Sequence, residues 1–301
     1  MTKLKNPLLS FDATGSLGNA VSYTHRRGVS VAEKRPLLPY FLTLPVQYQR
    51  WLYQDYAYLW KQQSAATKQI FASSGVRHHL TGFQYWMKHQ LTYLPDIIGM
   101  WYLDERTGFW TYDKGREGLD GVIFGATPAT GRIGGGYLFD GLNDRIGLGQ
   151  DARLRPTDVF SIEAFIWPEE IASNTQDGVY SAMDAGKYVF KFGLQAGGTI
   201  ALNLRKDQVT EATATKAGTP AQQWSHIAGT FNTVQAKCYL NGVAGVTKAV
   251  GWECQDVASN VYIGLNAVSA RYFEGIIDHV ILRNRVLDST EIKRHAERRY
   301  P

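Results

Sequence analysis

Retaining hydrolysis of a glycosidic bond needs two carboxylates about 5 Å apart, and the sequence offers one isolated acid where such chemistry would sit. Glu163 lies in the alternating run Phe160-Ser-Ile-Glu-Ala-Phe-Ile-Trp167, where a partner on the same strand would stand two or four residues away. None does, and Glu169 and Glu170 fall beyond Pro168. His226 follows Trp224 by two residues and reads as a histidine satisfied within its strand. The doublet His78-His79 has no acidic or thiol ligand beside it. Cys238 and Cys254 lack zinc spacing; they read first as buried free thiols, with a disulfide between neighbouring strands as the alternative. No Gly-x-Ser-x-Gly, phosphate loop or His-Glu-x-x-His occurs. These residues supply no recognisable catalytic set. Trp110, Trp252 and Tyr272 sit next to turns, where a flat ring either stacks on a sugar face or packs at the rim of a core.

The elements that would position these residues change character near residue 96. From there the chain reads as short strands separated by turns, the pattern of an antiparallel sandwich. In the run from Phe160, the residues Phe160, Ile162, Ala164 and Ile166 alternate against Ser161, Glu163, Phe165 and Trp167. Asn241-Gly242 predicts a tight hairpin turn. A terminal helix is expected over 287–297, capped by Asp288 or Ser289. Before residue 96, residues 8–31 predict a small hairpin that needs a neighbour to be stable. Pro36, Pro39 and Pro45 punctuate an extended linker. Tyr48, Leu52, Tyr56 and Leu59, widened by Trp51 and Trp60, have helical spacing over 46–63. Ser64 and Thr81 predict the caps of two further short helices. The expected domains are therefore 1–95 and 96–301.

The 301 residues include 44% hydrophobic ones and 30 glycines, enough for a core in a turn-rich, β-rich protein. The net charge of +5 is unevenly spread: residues 1–95 hold eleven Lys or Arg against three acidic residues, a balance of +8, which leaves −3 for the rest. Fifteen of those 95 residues are Phe, Tyr or Trp. Basic and aromatic residues together favour a docking interface, and Arg26, Arg27, Arg35, Arg50, Trp51, Trp60 and Trp86 are its candidate residues. The basic residues are scattered over strands, linker and helices with no recognisable nucleic-acid module, so nucleic acid is not an expected partner. No apolar run approaches the roughly 20 residues of a membrane helix, and no signal peptide is visible.

The ordered series Trp101-Tyr-Leu-Asp-Glu105, Gly136-Tyr-Leu-Phe-Asp-Gly141, Phe160 to Pro168, Trp224-Ser-His-Ile-Ala-Gly-Thr-Phe231, Cys238-Tyr-Leu-Asn-Gly242 and Phe273 to Ile292 resembles the laminin-G-like, concanavalin A-like jelly-roll family. The resemblance covers about two thirds of the chain and implies a mainly β, antiparallel jelly-roll sandwich used for binding. It also implies a possible calcium ion, for which Asp113 and Asp278 are the corresponding positions, with Lys114 and Arg116 bringing positive charge near the first. Upstream, Gly15-Ser-Leu-Gly18, Arg26-Arg27, Leu44-Pro-Val-Gln-Tyr-Gln-Arg-Trp51, Trp60 and Thr81-Gly-Phe-Gln-Tyr85 resemble a module of tailed-phage structural proteins, although Tyr40-Phe-Leu-Thr-Leu-Pro45 departs from its proline-rich run. Together these resemblances imply a virion accessory protein, on head or tail. Made in the host cytoplasm, it would dock on capsid or tail proteins through residues 1–95, as a homo-oligomer, with the jelly-roll displayed towards host glycans. A bacterial carbohydrate-binding protein and, behind it, a glycanase are the alternatives.

Overall fold

A computed structural model describes residues 15–17, 21–26, 29–34, 43–171, 177–184, 187–207, 209–267 and 270–298. The chain divides into two compact units, residues 1–47 and 48–301. In the first, Gly15–Leu17, Val21–Arg26 and Val29–Lys34 form a three-stranded antiparallel sheet, one strand more than a simple hairpin. Arg26 ends its second strand. Arg27, Arg35, Pro36 and Pro39 lie outside the described residues.

The second unit begins within α1 (Leu44–Gln62), which carries Pro45 in its first turn, where a missing N–H costs nothing. Ser64 caps α2 (Ala65–Val76) by accepting from the Thr67 N–H. Thr81 and Gln84 form a reciprocal capping box at the start of α3 (Gly82–Tyr93). The aromatic stripe is used for packing: Tyr56, Trp86 and Met87 form a buried cluster, with Trp60 and Phe71 against it.

The remaining chain is an antiparallel sandwich, as the alternation predicts. One sheet runs Val243–Ala244, Gln235–Leu240, Ser225–Asn232, Val159–Pro168, Glu274–Arg283, Gly135–Asp140, Thr127–Thr130, with Lys248–Ala249 and Ile97–Trp101 pairing to it as well. The other runs Glu211–Lys216, Thr199–Arg205, Lys187–Gln195, Asp177–Asp184, Val261–Ile263, Arg145–Gly149, Gly121–Phe124, Trp110–Thr111. Phe160, Ile162, Ala164 and Ile166 point into the core between the sheets, against residues such as Phe190, Phe192 and Leu202. Each such Ile, Leu or Phe side chain, fully withdrawn from water, contributes about 2 kcal/mol. Asn241 and Gly242 both have positive φ and join Leu240 to Val243 in a two-residue turn. Cys238 and Cys254 are free, buried thiols, and burial pushes both up to about 12.

The opposite face of the first sheet is also covered, which alternation alone did not predict. Ser161, Glu163 and Phe165 are as buried as their core-facing neighbours. α4 (Ser289–Ala296), capped by Asp288 with Glu291 in a capping box, packs Leu287 and Ile292 onto Ala228 and Tyr239. Asp55 of α1 bonds to Arg294, His295 and Arg298 at the other end of α4. The division between units therefore falls at 47/48, where residue 95 was expected. The helices share buried ion pairs with the sandwich, and separating them would strand charge in an apolar setting.

Candidate functional site

The side of the eight-stranded sheet away from the core carries one transverse register row, exposed at its Trp110 end and covered at Ser181. Strand register sets Trp110 opposite Val122, Val122 opposite Gly147, Gly147 opposite Tyr262, Tyr262 opposite Ser181 and Ser181 opposite Lys191. Side chains alternate along a strand, so the neighbours Ile123, Ile146, Ile263 and Phe190 point into the core while this row points away from it. Trp110, on the edge strand, is 51% exposed, and Phe124, two residues beyond Val122, is 43% exposed. Gly147 leaves the floor between rings open. A Cβ there would lie 3.4 Å from Phe124 Cε2 and 4.0 Å from Tyr262 Cε1. Arg145 pairs with Phe124 in the ladder and holds its guanidinium 4.6 Å from that ring's centroid. Further along, Lys191 and Arg205 lie 4.8 and 4.4 Å from the Tyr188 centroid. Flat rings beside a fork of N–H donors suit a ligand with both C–H faces and oxygen acceptors.

Of the three aromatic residues expected from the sequence to contact sugar, Trp110 belongs to this face. Trp252 instead packs half-buried against the core, with its backbone N–H donated to the Thr233 carbonyl. Tyr272 is half-buried in a separate two-stranded ladder with Leu265. The three do not converge. Phe124 and Tyr262 were not anticipated, although Val122-Ile-Phe124 and Val261-Tyr-Ile263 carry the signal: an aromatic residue out of phase with the core-facing isoleucine beside it.

The expected docking residues of the helices are mostly absorbed by packing. Trp51 and Trp86 are buried, Trp60 packs against Phe71, Phe83 and Trp86, and Arg50, next to Trp51, is half-buried. His78 stacks on Tyr85 in the turn after α2.

Glu163 anchors an enclosed polar network. Its Oε2 accepts from His295 Nδ1 at 2.8 Å and faces His226 Nε2 at 3.4 Å, while Arg283 Nε lies 3.6 Å from Oε1. His295 turns its Nε2 towards Asp55, 3.2 Å away. Arg283 also donates to Asp96, which accepts from Arg285 and the Tyr56 hydroxyl as well. Burial pushes the Glu163 carboxyl up, but His295, His226 and Arg283 outweigh it and hold the group well below the usual carboxylate range. Burial and Arg298 push His295 down, yet Glu163 and Asp55 leave it raised. Glu163, His226, Arg283 and His295 are each at most 2% exposed, so no substrate reaches this carboxylate in the folded state.

The two aspartates suspected of holding calcium are kept apart by separate partners. Asp113 accepts the Met100, Gly115 and Leu119 N–H groups at 2.8, 2.8 and 3.1 Å. Asp278 accepts from the Ile133 N–H at 2.9 Å and lies 2.6 Å from His279 Nδ1; burial pushes its carboxyl up. Lys114 and Arg116 lie over the rings of Tyr112 and Tyr93. Among the described residues, no three His, Cys, Asp or Glu side chains converge as metal ligands. Ca²⁺ takes 6 to 8 oxygens, whereas N–H groups already aim positive ends at both carboxylates. These residues do not fit the ion.

A model of the concanavalin A-like lectin/glucanases superfamily matches residues 140–293. No curated protein sequence matches the chain. Among solved structures, domain 4 of AbnA, a GH43 extracellular arabinanase from Geobacillus stearothermophilus in complex with arabinotriose, is similar with TM-score 0.55 and 19% identity, over 67% of this chain and 98% of that one. The binding domain of Paraclostridial Mosquitocidal Protein 1 is similar with TM-score 0.56 and 15% identity, over 67% and 52%. The botulinum neurotoxin serotype G binding domain gives 0.54 and 14%, over 67% and 50%. The chain thus spans about half the length of those two toxin domains. At these identities the likeness is one of fold.

Proposed function

Because the chain belongs to the concanavalin A-like lectin/glucanases superfamily, we propose that it is a non-enzymatic glycan-binding protein whose ligand lies across the outward face of the eight-stranded sheet. One observation carries this reading: Trp110 and Phe124 stand exposed on the same face as Tyr262, around the bare floor at Gly147. Rings so placed stack on sugar C–H faces, and the neighbouring guanidinium supplies donors to sugar oxygens. The similar arabinanase domain was solved with arabinotriose, which makes that trisaccharide a sensible first probe. The enclosure of Glu163 supports the non-enzymatic half of the proposal. Calorimetric titration with arabinotriose and an array of plant, bacterial and host oligosaccharides tests it. Binding weakened several-fold in Trp110→Ala and in Phe124→Ala is the expected result, and a folded protein that binds nothing on the array would sink the idea.

The finer reading places the protein on a tailed-phage particle, on head or tail, as a homo-oligomer facing host glycans. Its support is the sequence character of residues 1–95, and with Trp51 and Trp86 committed to packing, the docking role falls to residues 1–47. The alternative, a bacterial glycan-binding protein with no virion, fits no worse, and its support is the fold likeness to an arabinanase domain. Mass spectrometry of purified particles separates the two: the virion reading requires the chain at stoichiometric abundance, lost on deletion of residues 1–47.

A further inference from the structure

The cation beside the exposed ring of Phe124 has no carboxylate partner of its own among the described residues. Arg145 sits opposite Phe124 and lies over its ring. Its hydrogen bond to protein runs from Nη1 to the Asn143 carbonyl at 3.2 Å, and among the described residues it forms no ion pair with a carboxylate. Past Tyr262 and the buried Ser181, the same register row reaches a second cation, Lys191. Acids adjoining these cations in sequence or across the sheet have other hydrogen-bond or ion-pair partners. Asp144 accepts from the Asp140 N–H at 3.0 Å, and Asp140 accepts from the Leu142, Asn143 and Asp144 N–H groups. Glu211 pairs with Arg205.

A guanidinium fixed against a ring, with part of its planar fork uncommitted, is built to meet a planar or tetrahedral oxyanion on a group stacked beside it. A neutral sugar would use the rings and leave that charge without a counterpart. From this juxtaposition we infer that the face selects acidic glycans, oligosaccharides bearing a carboxylate or a sulfate, with Arg145 as the residue that reads the anion. The inference rests on the glycan-binding reading above and adds the ligand's charge.

The test uses the full chain and four probes: tetragalacturonate and 3′-sialyllactose for carboxylates, a heparin-derived hexasaccharide for sulfate, and lactose as the neutral reference. At least one acidic probe is expected to bind about tenfold or more tighter than lactose, the range of a charge-assisted hydrogen bond, and to weaken as NaCl is raised. Arg145→Gln should bring that probe down to the neutral level, and Arg145→Lys should restore part of the loss. Lys248→Gln, an exposed lysine on the other sheet, controls for non-specific charge and should not change affinity. If lactose binds as tightly as every acidic probe, or Arg145→Gln leaves acidic binding intact, the inference fails while glycan binding stands. If none of the four binds a folded protein and the wider array is also silent, both fail. Tighter binding of a thymidine oligonucleotide than of any glycan would likewise overturn it.

Discussion

The Nδ1 of His295, in the last helix, lies 2.8 Å from Oε2 of Glu163, in the central strand of the nine-stranded sheet, and both side chains are buried. With Asp55 on its other nitrogen, His295 joins α1, α4 and the sandwich in one enclosed set of charges. Removing either end leaves the other buried with one of its counter-charges lost.

His295→Ala should therefore destabilise the protein by about 3–5 kcal/mol, the cost of breaking a buried ion pair from one side. Urea unfolding of the variant and of Glu163→Gln measures this. A loss below about 1 kcal/mol would show that the pair adds little.

The pH dependence has a definite sign. His295 is raised when folded, so its contribution is fully present below the unfolded value of about 6.5 and is lost as pH rises through the higher folded value. Glu163 and Asp55 are lowered, so theirs is present above the unfolded carboxylate range of about 4 and is lost as pH falls. His226 is lowered and opposes His295 near neutrality. The stability difference between wild type and His295→Asn isolates the His295 part. It should be greatest between about pH 5 and 6 and shrink steadily above pH 7; a difference flat across that range would refute the assignment.

Truncation should follow the buried charges. Residues 43–301 should give a cooperative thermal transition, whereas residues 96–301, which lack Asp55, Tyr56 and Trp86, should not. Circular dichroism melting of the two fragments decides it.

Trp110→Ala and Trp252→Ala should separate binding from stability. The first removes an exposed ring and should weaken glycan binding by about 1 kcal/mol with little change in Tm. The second removes a ring packed against the core and should lower stability by about 2 kcal/mol. Parallel titrations and melts check both, and the reverse pattern would move the site to the Trp252 end.

Chelation should leave the melting curve unchanged, because N–H donors already satisfy Asp113 and Asp278. An ion bound only by the folded state would raise Tm by mass action, so a lower Tm in EDTA would count against the metal-free arrangement.

Local patterns, read residue by residue, determined much of this molecule. The alternation around Ile162 and Ala164, the Asn241-Gly242 turn and the Thr81 and Asp288 caps were legible because each depends on neighbours within a few positions. Trp110 was legible as an aromatic residue beside a turn. Tertiary structure alone decided which face of each strand meets solvent. In sequence Glu163, Ser161 and Phe165 occupy the polar or outward phase of their strand, yet α1 and α4 fold over them from more than a hundred residues away. Asp55 and His295 are 240 positions apart, and no period in the chain connects them. The aromatic face has the same origin, since Trp110, Phe124, Gly147 and Tyr262 come from four strands whose order in the sheet follows from cross-strand pairing and burial. Long-range pairing of this kind brings together residues whose individual environments carry no trace of one another.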